Sequence, residues 1–130
     1  MGWSNIQYRG VLDLTNISGY EKLASYDVML FPTFWDDEGF PGVIVDAHIA
    51  GLPVIASDWN MNREVIEHNK TGRIIPVHSP DSLAREMGKF INGELDVNLM
   101  QKNCLEEASS YDVNQVLSEE ILSKIGLLEC

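Results

Sequence analysis

Basic residues are scarce in this 130-residue chain, which has 9 Lys and Arg against 20 Asp and Glu and a formal net charge of −11. Binding to nucleic acid or to an anionic membrane surface needs clusters of Lys and Arg, so neither partner is expected. The acidic excess also disfavours phosphate-bearing ligands, because they would meet a negative background potential. Any phosphate site in this chain therefore needs its own local source of positive potential.

Cysteines and long apolar runs are also few. Cys104 and Cys130 lie far apart, with the spacing of neither a metal site nor a disulfide framework. No apolar run approaches the roughly 20 residues that span a bilayer. The first residues, MGWSN, lack the basic and apolar regions of a signal peptide. We therefore expect a protein of a reducing, cytoplasmic compartment.

The 45% hydrophobic content is enough for a packed core, and the length predicts that residues 1–130 form a single domain. Continuous apolar runs at 28–31 and 53–56 are typical of strands covered on both faces, as in parallel sheets, and 73–75 is predicted as a third strand of the same kind. A further strand is predicted at 6–10. Helices are predicted at 19–25, 41–50, 63–68, 97–109 and 113–125, with another beginning at Pro80. This alternation predicts an α/β, Rossmann-like parallel sheet of about four strands with helices on both faces.

Capping residues predict where several helices begin and end. Ser18 and Ser79 are predicted N-caps, and Asp112 is a candidate cap for the last helix. Pro41 suits the first helical position, where its missing N–H costs nothing. Gly51 suits the position just after the end of that helix.

The loop after the 28–31 strand carries Asp37, Glu38 and Gly39, and a helix begins close to Gly42. In parallel α/β sheets, ligands bind outside the carboxyl ends of the strands, where this loop lies. The first amides of the helix have no intrahelical acceptor and carry the positive end of the helix dipole. Glycines without side chains allow a ligand to approach the backbone closely. These features predict a local site for a phosphate or diphosphate.

Two carboxylates flank this predicted anion site. Asp46 lies about one helical turn further on and can accept hydrogen bonds from a vicinal diol such as a ribose. Glu38 can do the same for another polyol, so the arrangement describes a nucleotide sugar. Simpler interpretations stay open: a solvated acidic loop at Asp37 and Glu38, plain turn glycines, and an Asp46 that only stabilises the helix N-terminus.

Other polar and aromatic side chains lie near the predicted site. Thr33, Trp35 and Tyr8 are close to it in the predicted topology, and Trp35 can either stack on a base or sugar or pack within its loop. Asp58 and Asn60 follow the 53–56 strand, where they can reach a ligand or form a turn.

The three histidines are not expected to act in chemistry. His48 lies in the middle of a predicted helix and is expected to pack there or to be partly exposed. His68 and His78 are expected on the surface.

Residues 38–58, EGFPGVIVDAHIAGLPVIASD, closely resemble the signature of the retaining family 4 glycosyltransferases. Residues 26–33, 64–72 and 79–84 are similar to the segments that flank this signature in the family. The resemblance extends over about residues 5–125. It implies the GT-B fold, in which two Rossmann-like domains enclose the active site, and it places this chain in the C-terminal, donor-binding domain.

The resemblance also implies roles for individual residues. Glu38 would be the catalytic residue, contacting hydroxyls of the donor sugar, while Asp46 would hold the ribose of the nucleotide. The implied substrate-binding residues are Thr33, Glu38, Gly39, Phe40, Gly42, Val43 and Asp46. The four residues from Gly39 to Val43, apart from Pro41, would contribute backbone amides. No metal and no cofactor are implied; the partners would be a nucleotide-diphosphate sugar and a glycan or lipid-linked acceptor.

The chain departs from the family pattern in three ways. Asp46 stands where the family usually has glutamate, and Pro41 stands where it has glycine; both resemble members that build bacterial capsular or exopolysaccharides. The family's first two donor-domain strands, its glycine-rich loop, its Arg and Lys clamp and its whole acceptor domain have no match. Arg9, Arg63 and Lys70 do not occupy the clamp positions. The resemblance therefore implies a partial domain that does not transfer sugar alone, from an enzyme that can lie at the inner membrane face.

Two alternatives follow from the missing parts. The chain can be a non-catalytic fold remnant or an oligomerising module without a ligand, or a different sugar-phosphate-binding Rossmann domain. The missing strands would leave the edge of the 28–31 strand without a partner. Either residues 6–10 pair with this edge, giving the strand order 6–10, 28–31, 53–56, 73–75, or another chain pairs with it. That other chain would be a second copy in a homo-oligomer or the missing domain.

Overall fold

The computed structural model describes residues 4–111. The helix predicted at 113–125 and its candidate cap Asp112 lie outside the described residues. The elements are α1 Ile17–Ala24, β1 Met29–Phe31, α2 Gly42–Ile49, β2 Val54–Ser57, α3 Asn62–Val65, β3 Gly72–Ile75, α4 Pro80–Ile91 and α5 Val97–Ser109. The predicted α/β architecture is confirmed.

Three parallel strands form the sheet, in the order β1-β2-β3. Met29 lies opposite Val54, and Val54 lies opposite Gly72. All four residues of the central strand are buried, as its continuous apolar sequence predicts. A Cβ at Gly72 would lie 2.1 Å from the Val54 carbonyl oxygen, so this close approach of the two backbones requires glycine.

Helices lie on both faces of the sheet, as predicted, but the expected cover of β1 on both of its faces is wrong, because Leu30 is 40% exposed. On one face, Val54 and Ala56 pack with Leu23 of α1 and Ile44 of α2 in the main core. The opposite face is covered by α4, which packs against β2 and β3. Helix α5 packs against α2 rather than directly on a strand. The Asn60 side chain, three residues after β2, contacts the Glu38 carbonyl just before α2, so the carboxyl end of β2 lies near the start of α2.

The predicted strand at 6–10 is wrong, and with it the four-stranded order. This segment pairs with no other part of the described chain, and Ile6 and Tyr8 are 66% and 93% exposed. A short strand is stable only with a ladder partner and a buried face, and this segment has neither. The outer edge of β1 pairs with no strand among residues 4–111. A cavity of about 520 Å³ lies beside it, against Leu30 and Phe90. Pairing with another chain at this edge stays a prediction.

Helix caps follow the sequence with small shifts. Helix α1 begins two residues earlier than predicted, because the Asn16 side chain accepts a hydrogen bond from the Gly19 amide and Ser18 lies within the first turn. Pro41 is the residue before α2 rather than its first residue. The cap of α4 by Ser79 is confirmed. So is the terminating role of Gly51, whose φ is +69°.

A buried ion pair joins β3 to α4. Arg73 Nε and Nη2 donate to the two carboxylate oxygens of Glu86 at 2.6 and 3.3 Å, and Lys89 Nζ lies 3.0 Å from the same carboxylate. Arg73 is 9% and Glu86 8% exposed. Burial alone would raise the pKa of Glu86, but the hydrogen bonds from Arg73 and Lys89 outweigh it, so this pKa lies below its usual value. The pair fixes α4 on the sheet.

Candidate functional site

The loops that leave β1 and β2 are joined by hydrogen bonds at the carboxyl edge of the sheet. The Ser57 hydroxyl donates to the Thr33 carbonyl, and Trp59 Nε1 donates to the Trp35 carbonyl at 2.9 Å. Ser57 is buried at the end of β2, so it anchors the start of the β1 loop to the sheet. These contacts hold the loop that carries the predicted site residues.

The second loop also braces Glu38 directly. Asn60, whose φ is +50°, donates from its side-chain amide to the Glu38 carbonyl. Asp58 instead accepts a hydrogen bond from Arg63 Nε at 2.6 Å, and this bond holds the pKa of Asp58 below its usual value. Asn60 thus holds the backbone of Glu38 in place. The sequence placed Asn60 after β2 but did not indicate this contact.

The two neighbouring carboxylates of the β1 loop differ in their surroundings. Asp37 is exposed, as expected for a solvated acidic loop. Glu38 is half-buried, and its Oε2 atom is buried with no hydrogen-bond partner among the described residues. A buried carboxylate oxygen without a donor is energetically unfavourable, and such atoms call for a specific explanation. Glu38 therefore presents an unused acceptor that suits a ligand hydroxyl.

The backbone at the start of α2 offers free donors. The amides of Gly39, Phe40 and Val43 donate to no acceptor within residues 4–111, whereas the Gly42 amide donates to the Phe40 carbonyl at 2.9 Å. Apart from the neighbouring residues of the chain, a Cβ added at Gly39 or at Gly42 would meet no atom of the described residues within 4 Å. The space in front of these amides is open, and the helix dipole favours an anion there.

Asp46 lies on α2 and contacts the preceding helix. It is half-buried, and its Oδ1 atom accepts a hydrogen bond from the Tyr20 hydroxyl of α1 at 2.8 Å. This hydrogen bond is the main reason that the pKa of Tyr20 is raised. Asp46 is thus held by a specific partner, and its role in binding a ribose stays a prediction.

Exposed apolar side chains surround Glu38. Trp35 is 69% exposed, Phe40 54% and Val43 39%. The Phe40 ring lies 6.4 Å from the Tyr111 ring, centroid to centroid. The Trp35 carbonyl accepts the hydrogen bond from Trp59, but the Trp35 ring is mostly exposed. The ring is therefore not packed within its loop. The edge of the site therefore offers flat apolar surface as well as polar groups.

His48 is fully buried on α2, which fits the expectation of a packing residue. Neither ring nitrogen has a hydrogen-bond partner among the described residues. Burial lowers the pKa of His48 to about 4, although the neighbouring backbone of Thr71 opposes this. A neutral, enclosed imidazole of this kind belongs to the core and not to the site. His68 and His78 are exposed, as predicted.

Acidification is expected to destabilise the fold through His48. The unfolded chain takes up a proton below about pH 6.5, while the folded chain does so only near pH 4, so stability falls as the pH drops through this window. The difference corresponds to about 3 kcal/mol. Urea unfolding of the wild type and of His48→Leu at pH 7.5, 5.5 and 4.5 measures this loss of stability. The variant should lose much less stability across the window, and an unchanged loss would show that His48 is not the cause.

The described part of the chain contains no group of three His, Cys, Asp or Glu side chains placed to hold a metal ion. Two of the cationic side chains are engaged elsewhere: Arg63 pairs with Asp58, and Lys70 pairs with Glu67 at 3.1 Å. Among residues 4–111, no helix combines the length and apolar character needed to cross a bilayer.

Comparison with known proteins gives a family match over most of the chain. The model of the family described as "Glycosyl transferases group 1" matches residues 14–110. The UDP-Gal:alpha-D-GlcNAc-diphosphoundecaprenol alpha-1,3-galactosyltransferase of Escherichia coli is 31% identical over 104 residues, which are 80% of this chain and 23% of that protein. The amylovoran biosynthesis glycosyltransferase AmsK of Erwinia amylovora is 35% identical over 75 residues, or 55% of this chain and 18% of AmsK. The chain thus spans less than a quarter of either relative.

Solved structures share the fold. HepE of Anabaena, determined in complex with UDP, superposes with a TM-score of 0.68 at 23% identity, covering 83% of this chain and 29% of HepE. Sucrose-phosphate synthase of Thermosynechococcus elongatus gives a TM-score of 0.64 at 18% identity, covering 82% of this chain and 28% of that enzyme. The α/β fold with its parallel sheet matches these GT-B structures.

Proposed function

The chain belongs to the group 1 glycosyl transferases, and on this premise we propose that it is the donor-binding part of an enzyme that transfers sugar from a nucleotide-diphosphate sugar. The reaction would retain the anomeric configuration, and the acceptor would be a glycan or a lipid-linked glycan. Two observations on relatives support a sugar nucleotide as ligand: the galactosyltransferase is named for UDP-Gal, and HepE was solved with UDP. UDP and its sugars are therefore the first candidates, with GDP and its sugars next.

The observation that carries the proposal is the buried Oε2 atom of Glu38, which has no partner within residues 4–111, beside backbone amides that also donate to no acceptor there. The carboxylate suits a sugar hydroxyl, and the amides of Gly39, Phe40 and Val43 suit the sugar and the diphosphate. The Gly42 amide would have to leave the Phe40 carbonyl to take part. Because the chain has a net charge of −11, binding a diphosphate needs a local source of positive potential such as these amides.

Leaving-group stabilisation would come from these amides and the α2 dipole, which act where negative charge develops. No residue of this chain is assigned as a general base. Arg63 and Lys70 both pair with carboxylates, so neither is assigned to the leaving diphosphate. We therefore propose that the isolated chain binds a donor nucleotide without transferring sugar. Sugar transfer by the purified 130-residue protein would overturn this part of the proposal.

Calorimetric titration of the purified chain with UDP, GDP and their hexose conjugates tests the ligand. Binding with a Kd on the order of millimolar or tighter is expected, since few contacts are available. Gly39→Ala should weaken binding at least about tenfold, because a Cβ would intrude on the ligand side of the loop. The same substitution should leave the thermal midpoint almost unchanged, since that Cβ meets no protein atom within 4 Å.

Gly88→Ala is the matched control. Gly88 lies within α4, and a Cβ there meets only the Asn92 side chain at 3.9 Å, so nucleotide affinity should stay that of the wild type. Equal affinity of the wild type and Gly39→Ala would show that the ligand does not approach this loop. The absence of heat and of a thermal shift at millimolar concentrations of every probe would favour a non-catalytic fold remnant or oligomerising module.

A further inference from the structure

The hydrogen bond between Tyr20 and Asp46 joins two helices at a residue already assigned to the ligand. Tyr20 lies on α1 and Asp46 on α2, 26 positions later in the chain, and their side-chain oxygens are 2.8 Å apart. Both side chains are half-buried, so neither is hidden from a ligand at the edge of the site. The contact therefore changes what Asp46 can offer to a bound molecule.

The bond leaves a defined set of acceptors. The Tyr20 hydroxyl uses its proton on Asp46 Oδ1, so its own oxygen is left as an acceptor. Asp46 Oδ2 accepts no hydrogen bond within residues 4–111. The pair thus presents two adjacent acceptors, on the Tyr20 oxygen and on the Asp46 carboxylate. Two neighbouring hydroxyls of a ligand are the matching donors, whereas a phosphate, which mainly accepts, would be repelled.

The short side chain of Asp46 gives a reason for its pairing with Tyr20. Asp46 is one methylene shorter than a glutamate, so its carboxylate reaches less far from α2. The Tyr20 hydroxyl supplies a second polar atom beside it without adding charge. A hydroxyl that donates to a carboxylate is itself polarised and becomes a better acceptor, so the two groups reinforce each other.

We propose that Tyr20 is a further substrate-binding residue, whose hydroxyl accepts a hydrogen bond from one ribose hydroxyl while the Asp46 carboxylate accepts from the other. The inference rests on the proposed function, because it concerns the ribose of the same nucleotide. It assigns the preference for a ribonucleotide to side chains from two helices, α1 and α2.

Tyr20→Phe tests the assignment, because it removes the hydroxyl and keeps the ring. The probes are UDP or GDP, whichever the wild type binds, together with the 2′-deoxy and 3′-deoxy analogues of the same nucleotide. The wild type should bind both deoxy analogues about tenfold more weakly than the ribonucleotide, because each analogue lacks one of the two donors. In Tyr20→Phe, affinity for the ribonucleotide should fall about tenfold, while affinity for one of the two analogues, the one that lacks the hydroxyl paired with Tyr20, stays unchanged.

Tyr26→Phe is the matched control. Tyr26 follows α1, its side chain is 44% exposed, and its ring lies 5.9 Å from Lys22 Nζ, so loss of its hydroxyl should change no affinity. A purely structural tie between α1 and α2 predicts a different pattern: Tyr20→Phe would lower the thermal midpoint and weaken ribonucleotide and deoxy analogue equally. That pattern would overturn the inference.

The remaining outcomes separate the two proposals. If the wild type binds the nucleotide but does not distinguish either deoxy analogue, the ribose site is wrong while donor binding stands. If Tyr20→Phe binds the ribonucleotide as tightly as the wild type, Tyr20 is not a substrate-binding residue, while donor binding by the chain still stands. If the wild type binds none of the probes, the proposed function fails, and the role of Tyr20 fails with it.

Discussion

Replacing Glu86 with alanine is expected to lower the free energy of unfolding by about 3–5 kcal/mol, the usual cost of breaking a buried ion pair from one side. The Arg73 guanidinium would keep its buried place between β3 and α4 without its bidentate partner. Since small domains are stable by only about 5–15 kcal/mol, this is a large share of the total. Urea denaturation followed by circular dichroism measures the change.

Two further variants identify the cause of that loss. Glu106→Ala removes an exposed carboxylate from α5 and should change stability by less than about 0.5 kcal/mol. The double variant Arg73→Met with Glu86→Leu replaces the pair by apolar side chains of similar size and should recover most of the stability. A double variant as unstable as Glu86→Ala would show that lost packing, and not the uncompensated charge, is responsible.

The sheet and its covering helices could be predicted because two of the three strands lie in continuous apolar runs, at 28–31 and 53–56. β2, with all four residues buried, is the clearest case. The failure at residues 6–10 has the same physical root: Ile6 and Tyr8 alternate with polar residues, a pattern that can form a strand only when a partner and a cover are present. Local sequence shows the tendency to form a strand but not the presence of a neighbour.

The place of the candidate residues at the carboxyl edge of the sheet was predictable, but their contacts were not. The glycines and carboxylates of residues 37–46 identify the edge of the sheet because helix N-termini and parallel strands have fixed polarity. Contacts between residues far apart in sequence carry no such local pattern. The bond from Tyr20 to Asp46 and the brace from Asn60 to the Glu38 carbonyl both depend on how the helices and loops pack.

The same limit applies to the buried polar core. Arg73 stands at the start of the predicted 73–75 strand and Glu86 in the middle of an amphipathic helix, so each alone is typical of an exposed residue. Their pairing follows only when α4 is placed on the sheet. His48 is similar, because its position on α2 becomes fully enclosed only through the neighbouring elements.

Glu38→Gln should weaken binding of a nucleotide-diphosphate sugar by about 10–100-fold and leave binding of the corresponding nucleoside diphosphate nearly unchanged. The reason is that the Glu38 carboxylate is assigned to the sugar hydroxyls, which the nucleoside diphosphate lacks. The buried Oε2 atom has no partner in the described chain, so glutamine at this position removes a carboxylate that the protein alone does not satisfy. The thermal midpoint should therefore stay the same or rise, as expected when a functional group is held at some expense to stability.

Asp37→Asn provides the matched control, because it removes the same charge from the adjacent, exposed position. Its affinity for the sugar nucleotide should equal that of the wild type. Equal losses in both variants would attribute the effect to the general electrostatic field of the loop and not to a contact from Glu38. If Glu38→Gln binds the sugar nucleotide as tightly as the wild type, the Glu38 carboxylate does not contact the sugar. A clear fall in its thermal midpoint would instead assign Glu38 to the structure of the loop.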